Sequence, residues 1–233
     1  MASAYDDEEI LDSATMLKIP PNIYHFMKYW SVAPYLEMKT SWPKEGKHIL
    51  AQFDDENIFV YQAFNPQIAE FAVKNQKFGG PDYLFSRMSW IKTNFLWMMY
   101  RSNWASKKNQ ERILAIQITR ASFETILSNA LIPRKQKEQG LSKEDLKVRL
   151  QWDPDHAPSG GGVPRRAIQL GLKGKILEQF GTEWVTRIID ITPFVTEMHA
   201  YTKCHQQLFV AREEVYPLTD PVITELICLE SDD

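Results

Sequence analysis

The segment from Arg87 to Arg112 combines large aromatic rings with positive charge. Trp90, Trp97 and Trp104 follow one another at seven-residue intervals, among six basic residues and a single acid. Aromatic faces stack on planar bases, and guanidinium and ammonium groups bind phosphate. The segment therefore indicates a surface for a planar, anionic ligand, either a nucleotide or a nucleic acid strand.

Within this segment, two short runs place a ring and a cation side by side. Trp90 precedes Lys92 by two residues, and Arg101 lies between Tyr100 and Ser102. Phosphates are held by arginine and lysine donors, and the neighbouring hydroxyls could take part in chemistry. The alternative is that the aromatic residues pack in the core while the cations extend past them to water. We interpret Arg101 and Ser102 as functional residues.

Two further pairs have side chains suited to the same ligand. Tyr61 and Gln62 end a strand-like run just before a predicted helix start, whose free N–H groups attract anions. Arg166 and Gln169 follow the glycine-rich loop at 156–164 and are candidates for phosphate and base contacts. The alternative for Gln62 is an amide whose hydrogen bonds are satisfied within a sheet.

A pair of carboxylates, Asp153 and Asp155, flanks Pro154 after another predicted strand. Either carboxylate could orient a ribose hydroxyl or stabilise an oxocarbenium-like centre. The alternative is a simple Asp-Pro-Asp turn that closes the strand.

Composition limits the class of protein. The chain has 233 residues, 44% hydrophobic residues and a net charge of −3, which fits a globular domain. Two cysteines without ligand spacing predict no metal site and a reducing compartment, either cytoplasmic or nuclear. The N-terminus lacks an apolar signal, and no apolar run reaches 18 residues, so no membrane association is expected.

Charge is unevenly distributed along the chain. Residues 87–187 hold 18 lysines and arginines against nine aspartates and glutamates, whereas both ends are acidic. The pattern predicts an acidic and aromatic extension at 1–47, a core domain at 48–200 and an acidic tail at 201–233. A simpler explanation of the same charge pattern is that the acidic ends only increase solubility.

The predicted elements mix strands and helices without a strict βαβ order. Hairpin strands at 48–53 and 57–64 precede a helix that Asn65 caps. Residues 95–100 fit either a helix or a strand. Later strands are predicted at 111–118, 146–152, 166–172 and 184–191, the last of which also fits a helix. Helices begin at Thr119 or Ser122, at Lys173 and near residue 194. We expect an α+β single domain with a curved, mostly antiparallel mixed sheet flanked by helices.

Six blocks in this order resemble the domain-of-unknown-function 4291 family. They are VYQAF (60–64), MSWIKTNFLWMMYRSNWA (88–105), QERILAI (110–116), QWDPD (151–155), RAIQLGL (166–172) and EWVTRIIDIT (183–192). The resemblance covers roughly residues 48–195 and implies a common fold and a common site, but no settled activity. The chain departs from the family at Leu50-Ala51-Gln52-Phe53, on a strand that often carries an arginine in that family.

The order of elements is also similar, at the level of fold, to ADP-ribosyltransferase domains. Those enzymes use NAD and place Arg or His on a first strand, Ser or Tyr on a second and Glu on a later one. The resemblance implies equivalent roles for Gln62, for Tyr100 or Ser102, and for Asp153 or Asp155. The first position departs from the pattern, and the last is Asp instead of Glu.

Two classes of function follow. The first is a nucleotide-binding enzyme, an ADP-ribosyltransferase-like transferase using NAD, in which Arg101 and Arg166 hold phosphates and Tyr61 or Trp90 stacks on a ring. The second is a non-catalytic module that binds RNA or DNA through a Trp/Arg-rich surface. A closed pocket would favour the enzyme and an open basic groove the module, while the acceptor and the oligomeric state stay open. An interaction protein whose aromatic arm at 22–43 docks a partner is a third option.

Overall fold

A mixed sheet of eight strands forms the centre of the protein, which the computed structural model describes over residues 28–142 and 145–230. The strands are β1 (Val32–Pro34), β2 (Gly46–Lys47), β3 (Leu50–Ala51), β4 (Asn57–Phe64), β5 (Ser89–Lys92), β6 (Arg112–Thr119), β7 (Ala130–Leu131), β8 (Val148–His156), β9 (Gly162–Leu172), β10 (Val185–Asp190), β11 (Phe209–Ala211) and β12 (Glu214–Val215). The helices are α1 (Tyr35–Ser41), α2 (Pro66–Asn75), α3 (Phe95–Ser102), α4 (Arg120–Ser128), α5 (Pro133–Glu138), α6 (Gly174–Gln179), α7 (Thr192–His199) and α8 (Pro221–Leu226). A π-helical turn (Phe180–Trp184) follows α6, and a 3₁₀ turn (His205–Gln207) follows α7.

The main sheet has the strand order β10-β6-β4-β5-β9-β8-β7, with β2 beside β9. Its pairs are antiparallel except β2 with β9 and β7 with β8, which are parallel. The predicted α+β fold with a mostly antiparallel mixed sheet is confirmed.

Hydrophobic side chains cover both faces of the sheet, because alternate residues of a strand point to opposite sides. On β4, Ile58 and Val60 belong to one core cluster, together with side chains of α2, α4 and α6. Phe59 and Tyr61 belong to a second cluster with α3, α7 and Trp30. Since both faces are buried, β4 is apolar along most of its length instead of alternating.

The N-terminus of α2 confirms the predicted cap. The Asn65 side chain accepts a hydrogen bond from the Ile68 amide at 3.0 Å, and Pro66 occupies the first turn. Replacing Asn65 by alanine should lower the free energy of unfolding by about 1 kcal/mol. Urea unfolding measures this loss. Aspartate at the same position keeps an acceptor and serves as the control, so an equal loss in Asn65→Asp would contradict the capping role.

The undecided segment at 95–100 is the helix α3, which has partners at both ends. The Asn94 side chain accepts from the Trp97 amide at 2.7 Å, and the Glu213 carboxylate accepts from the Phe95 amide at 2.6 Å. These contacts satisfy N–H groups that a helix start leaves without partners. One of the two caps lies nearby in sequence, and the other comes from a distant segment.

Two expectations about loops were wrong. The charged composition of residues 134–145 predicts a loop, yet α5 occupies Pro133–Glu138, because a proline favours the first turn of a helix. The Asp-Pro-Asp run was expected to close a strand, yet it lies inside β8, where a bulge between Pro154 and Asp155 lets the strand continue beside β9.

The segments on either side of the predicted core contribute strands to the same structure. β1 pairs with β11, and β12 pairs with β3. The Trp42 indole donates to the Glu213 carbonyl at 2.8 Å, which joins the two segments directly. The sequence also predicts a short helix at 7–16 and another within the arm at 23–29; the first, and most of the second, lie outside the described residues. No helix within the described ranges has both the length and the apolar character needed to cross a membrane.

Candidate functional site

A pocket of about 480 Å³ opens where two central strands separate. β4 and β5 pair at one position, Tyr61 with Lys92, while β4 continues along β6 and β5 along β9. The split leaves a cleft between strand ends, which α3 closes from one face. The lining residues are Gln62, Ala63, Phe64, Arg87, Met88, Ser89, Trp90, Lys92, Met98, Arg101, Gln110 and Gln169.

Lys92 lies in the wall of the pocket with 4% of its surface exposed. Its Nζ is 4.9 Å from the centre of the Trp97 ring. No residue in the described part of the chain forms a hydrogen bond or ion pair with this amine. Burial, together with the nearby Arg101 charge, lowers the pKa of Lys92 to about 7, and the Asp153 charge opposes this shift.

The Gln62 side chain, which lines the same pocket, has an acceptor oxygen without a hydrogen-bond partner among the described residues. Its Nε2 donates to the Ser89 hydroxyl at 2.7 Å and to the Trp90 carbonyl at 3.1 Å. A carbonyl can only accept, so these bonds fix which end of the amide is the nitrogen. The Oε1 atom is buried and has no hydrogen-bond partner among the described residues. A ligand N–H or O–H group would satisfy this atom.

Polar side chains form a row across β5, β9 and β8. Lys92 is opposite Gln169, and Gln169 is opposite Gln151, so their side chains share one face. Gln169 Nε2 donates to Gln151 Oε1 at 2.9 Å and also to the Asp153 carboxylate. Burial raises the pKa of Asp153, while the Gln169 hydrogen bond and the Lys92 charge lower it. The row places a buried amine opposite a glutamine that binds a carboxylate.

Arginine adds positive charge at the pocket. Arg101 is exposed on α3, and its Nη1 donates to Gln110 Oε1 at 3.3 Å. Arg87 lies before β5 and contributes a second guanidinium. Together with Lys92 they line the same pocket as the half-buried Trp90 ring. Such an arrangement can bind phosphate groups and stack on a planar ring.

The structure brings five of the predicted binding residues to this pocket, and Asp153 reaches it through Gln169. The five are Gln62, Trp90, Lys92, Arg101 and Gln169. Arg87 and Gln110 also line it, although the sequence interpretation did not select them. Arg87 is the first residue of the aromatic and basic segment, and Gln110 is the first residue of the QERILAI block. Polar residues at the ends of these sequence segments would therefore have been the signal that identifies both.

Tyr61 and Ser102 do not reach the pocket. Tyr61 points to the opposite face of β4 from Gln62, and its hydroxyl accepts from the Trp30 indole at 3.0 Å. Burial and the nearby Glu213 raise the pKa of this phenol well above its usual value. Ser102 is fully buried, and its hydroxyl donates to the Met98 carbonyl at 2.9 Å. Both side chains hold the core together, which corrects the expectation that they contact ligand.

Three other predicted residues lie elsewhere. Asp155 is buried and accepts from Arg165 Nε at 2.8 Å, because the bulge in β8 turns it away from the row that contains Asp153. Arg166 lines a second cavity near β2. Tyr100 is 49% exposed, and its ring stacks on His156 with centroids 3.4 Å apart. None of the three lines the split between β4 and β5.

The seven-residue spacing of tryptophans does not produce an exposed stripe. Trp90 lies on a strand, Trp97 on a helix and Trp104 in the turn after that helix. Trp97 and Trp104 are each 6% exposed, and the Trp104 indole donates to the Pro158 carbonyl at 3.1 Å. Of the six basic residues of the segment, Arg87, Lys92 and Arg101 line the pocket. No three His, Cys, Asp or Glu side chains in 28–142 and 145–230 gather as metal ligands would.

Comparison with known protein families identifies the domain. The family described as Domain of unknown function (DUF4291) matches residues 48–216. The chain belongs to this family. Every residue that lines the pocket lies within the matched part of the DUF4291 domain, and so does Glu213, which caps α3. A search of curated proteins gives no match to the chain.

Proposed function

We propose that this DUF4291 domain is a nucleotide-binding enzyme whose site is the split between β4 and β5. The observation that carries the proposal is the convergence of three cations with the Trp90 ring and the unpaired Gln62 acceptor. Buried polar atoms are normally satisfied, and an amide oxygen left open in a pocket marks a place for a ligand donor. The volume is within the range of small-molecule and cofactor sites.

Each part of a nucleotide has a partner in this arrangement. Arg87 and Arg101 bind the phosphates, since arginine forms paired hydrogen bonds with phosphate oxygens. The Trp90 ring stacks on the base or nicotinamide. Gln62 Oε1 accepts from an amine or amide of that ring. The joined side chains of Gln169 and Asp153 bind ribose hydroxyls.

With NAD as the nucleotide, we propose ADP-ribosyl transfer as the reaction. The bond between ribose C1 and the nicotinamide nitrogen breaks, its electron pair leaves with nicotinamide, and an acceptor nucleophile bonds to C1. Positive charge develops on the ribose as this bond breaks, and the Asp153 carboxylate would stabilise it. Of the two carboxylates predicted for this role, Asp155 is already paired with Arg165.

A strand of RNA or DNA is the alternative ligand, and the exposed Tyr100 ring favours it. This ring lies next to Arg101 in sequence and could stack on a base beyond the pocket. Binding to a strand, which involves many phosphates, would weaken steeply with added salt, whereas binding of a small nucleotide with few phosphates would be less sensitive.

Replacing Arg101 by alanine should weaken NAD and ADP binding by about 10- to 100-fold, the loss expected for a charge-assisted hydrogen bond. The melting temperature without ligand should stay unchanged, because Arg101 is exposed. Calorimetric titration with NAD, ADP and short oligonucleotides measures the affinities. Lys108→Ala, an exposed lysine of the same segment, is the control.

The titration also separates the two ligand classes. If the unmodified protein bound oligonucleotides but neither NAD nor ADP, and the binding faded with salt, the nucleic-acid module would replace the enzyme. A loss of folding in Arg101→Ala equal to its loss of binding would make Arg101 a structural residue.

A further inference from the structure

The amine of Lys92 occupies an unusual setting for a lysine. Lysines normally extend their charged end to water or pair it with a carboxylate. Lys92 does neither: its side chain is buried, and its Nζ lies over the Trp97 ring at 4.9 Å. The Asp153 carboxylate is engaged by Gln169 instead of forming an ion pair with this amine. The Nζ therefore keeps its bonding capacity for a molecule in the pocket.

Burial and the positive charge of Arg101 disfavour the protonated form of Lys92, while the Asp153 carboxylate favours it. Arg101 faces it from α3, Arg87 lies at the same pocket, and Asp153 faces it from β8 with His156 near that carboxylate. Burial and Arg101 hold the pKa of Lys92 to about 7, against 10.5 for a free side chain. A large fraction of the amine is thus unprotonated at neutral pH, the form with a lone pair that can attack an electrophile.

We propose that Lys92 is a nucleophile that captures the carbonyl carbon of a phosphorylated aldehyde and forms an imine. The lone pair of Nζ bonds to the carbonyl carbon, and a proton moves from nitrogen to oxygen to give a carbinolamine. That group then loses water, which leaves a carbon–nitrogen double bond. The ligand's phosphate would be held by Arg87 and Arg101. The inference deepens the proposed function and rests on the same pocket, since the open-chain ribose of ADP-ribose is such an aldehyde.

Pyridoxal 5′-phosphate, an aldehyde that carries a phosphate, is a direct probe of this chemistry. Incubation with the whole protein at pH 7, followed by borohydride, converts each imine to a stable amine. Peptide mass spectrometry then gives the labelling rate of each lysine. We expect Lys92 to be labelled at least about tenfold faster than the exposed Lys107 and Lys108, because its unprotonated fraction is far larger.

Two comparisons show whether the pocket causes this preference. Pyridoxal without phosphate should lose most of the advantage at Lys92, and Arg101→Ala should slow labelling at Lys92 but not at Lys108. The labelling rate at Lys92 should rise with pH through a midpoint near 7. Labelling of Lys92 no faster than Lys107 and Lys108 would overturn the inference.

Protection by ADP separates this inference from the proposed function. If ADP slows labelling at Lys92, both the nucleotide site and the imine-forming amine are supported. If Lys92 is labelled rapidly but saturating ADP gives neither protection nor binding heat, the imine-forming amine stands and the nucleotide site fails. If ADP binds with measurable heat while Lys92 is labelled no faster than surface lysines, the nucleotide site stands and the imine-forming amine fails.

Discussion

Replacing Lys92 by methionine is expected to stabilise the protein at pH 7 by on the order of 4 kcal/mol. The wild-type chain must bring into the folded protein an amine whose pKa falls from 10.5 to about 7. The unfolded chain therefore binds a proton more tightly than the folded one. Methionine has a similar length and no charge, so it removes this cost and packs against the Trp97 ring.

The lowered pKa of Lys92 also determines how the stability of the protein changes with pH. The unfolded state binds more protons than the folded state between pH 7 and pH 10.5, so the stability of the wild type rises across that interval. The advantage of Lys92→Met should accordingly shrink toward zero near pH 10.5. Urea unfolding at several pH values measures it, with Lys108→Met as the exposed control. A methionine variant less stable than wild type at pH 7 would mean that the charge is well compensated in the fold.

Lys92→Met should also lose imine labelling and bind nucleotide more weakly, as expected when a residue lowers stability in order to serve function.

Replacing Arg165 by methionine is expected to lower the free energy of unfolding by about 3–5 kcal/mol at pH 7. Arg165 Nη2 lies 2.5 Å from the buried Asp155 carboxylate, and its Nη1 donates to the Pro43 carbonyl at 2.5 Å. Its guanidinium also lies 5.4 Å from the centre of the Trp42 ring. Removing the cation leaves a buried carboxylate without its counter-charge.

A second substitution and a pH series test this explanation. Arg165→Met combined with Asp155→Asn should recover much of the loss, because no unpaired charge then remains. Burial already raises the pKa of Asp155, and the Arg165 charge opposes that rise. In Arg165→Met the pKa rises further, so protonation relieves the defect at low pH and the loss of stability grows as pH increases. A double variant no more stable than the single one would show that packing, not charge, carries the effect.

Local patterns predicted the elements and part of the site well. Asn65 with Pro66 marked the start of α2, and Thr119 marked the start of α4, because caps are read from adjacent residues. The short runs at 90–92 and around Arg101 identified three side chains that line the pocket, namely Trp90, Lys92 and Arg101. These signals depend only on neighbours in sequence.

The positions of the other predicted site residues could not be inferred from their neighbours in sequence. Tyr61 and Gln62 are adjacent, yet which of them faces the split depends on the register of β4 with β5. Ser102 bonds back to the Met98 carbonyl within its own helix, a possibility that the sequence interpretation did not weigh. The separation of Asp153 from Asp155 results from a bulge that only the pairing of β8 with β9 shows.

The partner of the Phe95 amide lies 118 residues further along the chain, at Glu213. During translation, the helix that carries Arg101 is therefore made long before the carboxylate that completes its first turn. In a newly made chain, the first turn of α3 therefore lacks its Glu213 cap until residue 213 has left the ribosome. A chain that ended before residue 213 would keep the strands of the main sheet but would lack β12 and the carboxylate that caps α3, the helix whose Met98 and Arg101 line the pocket.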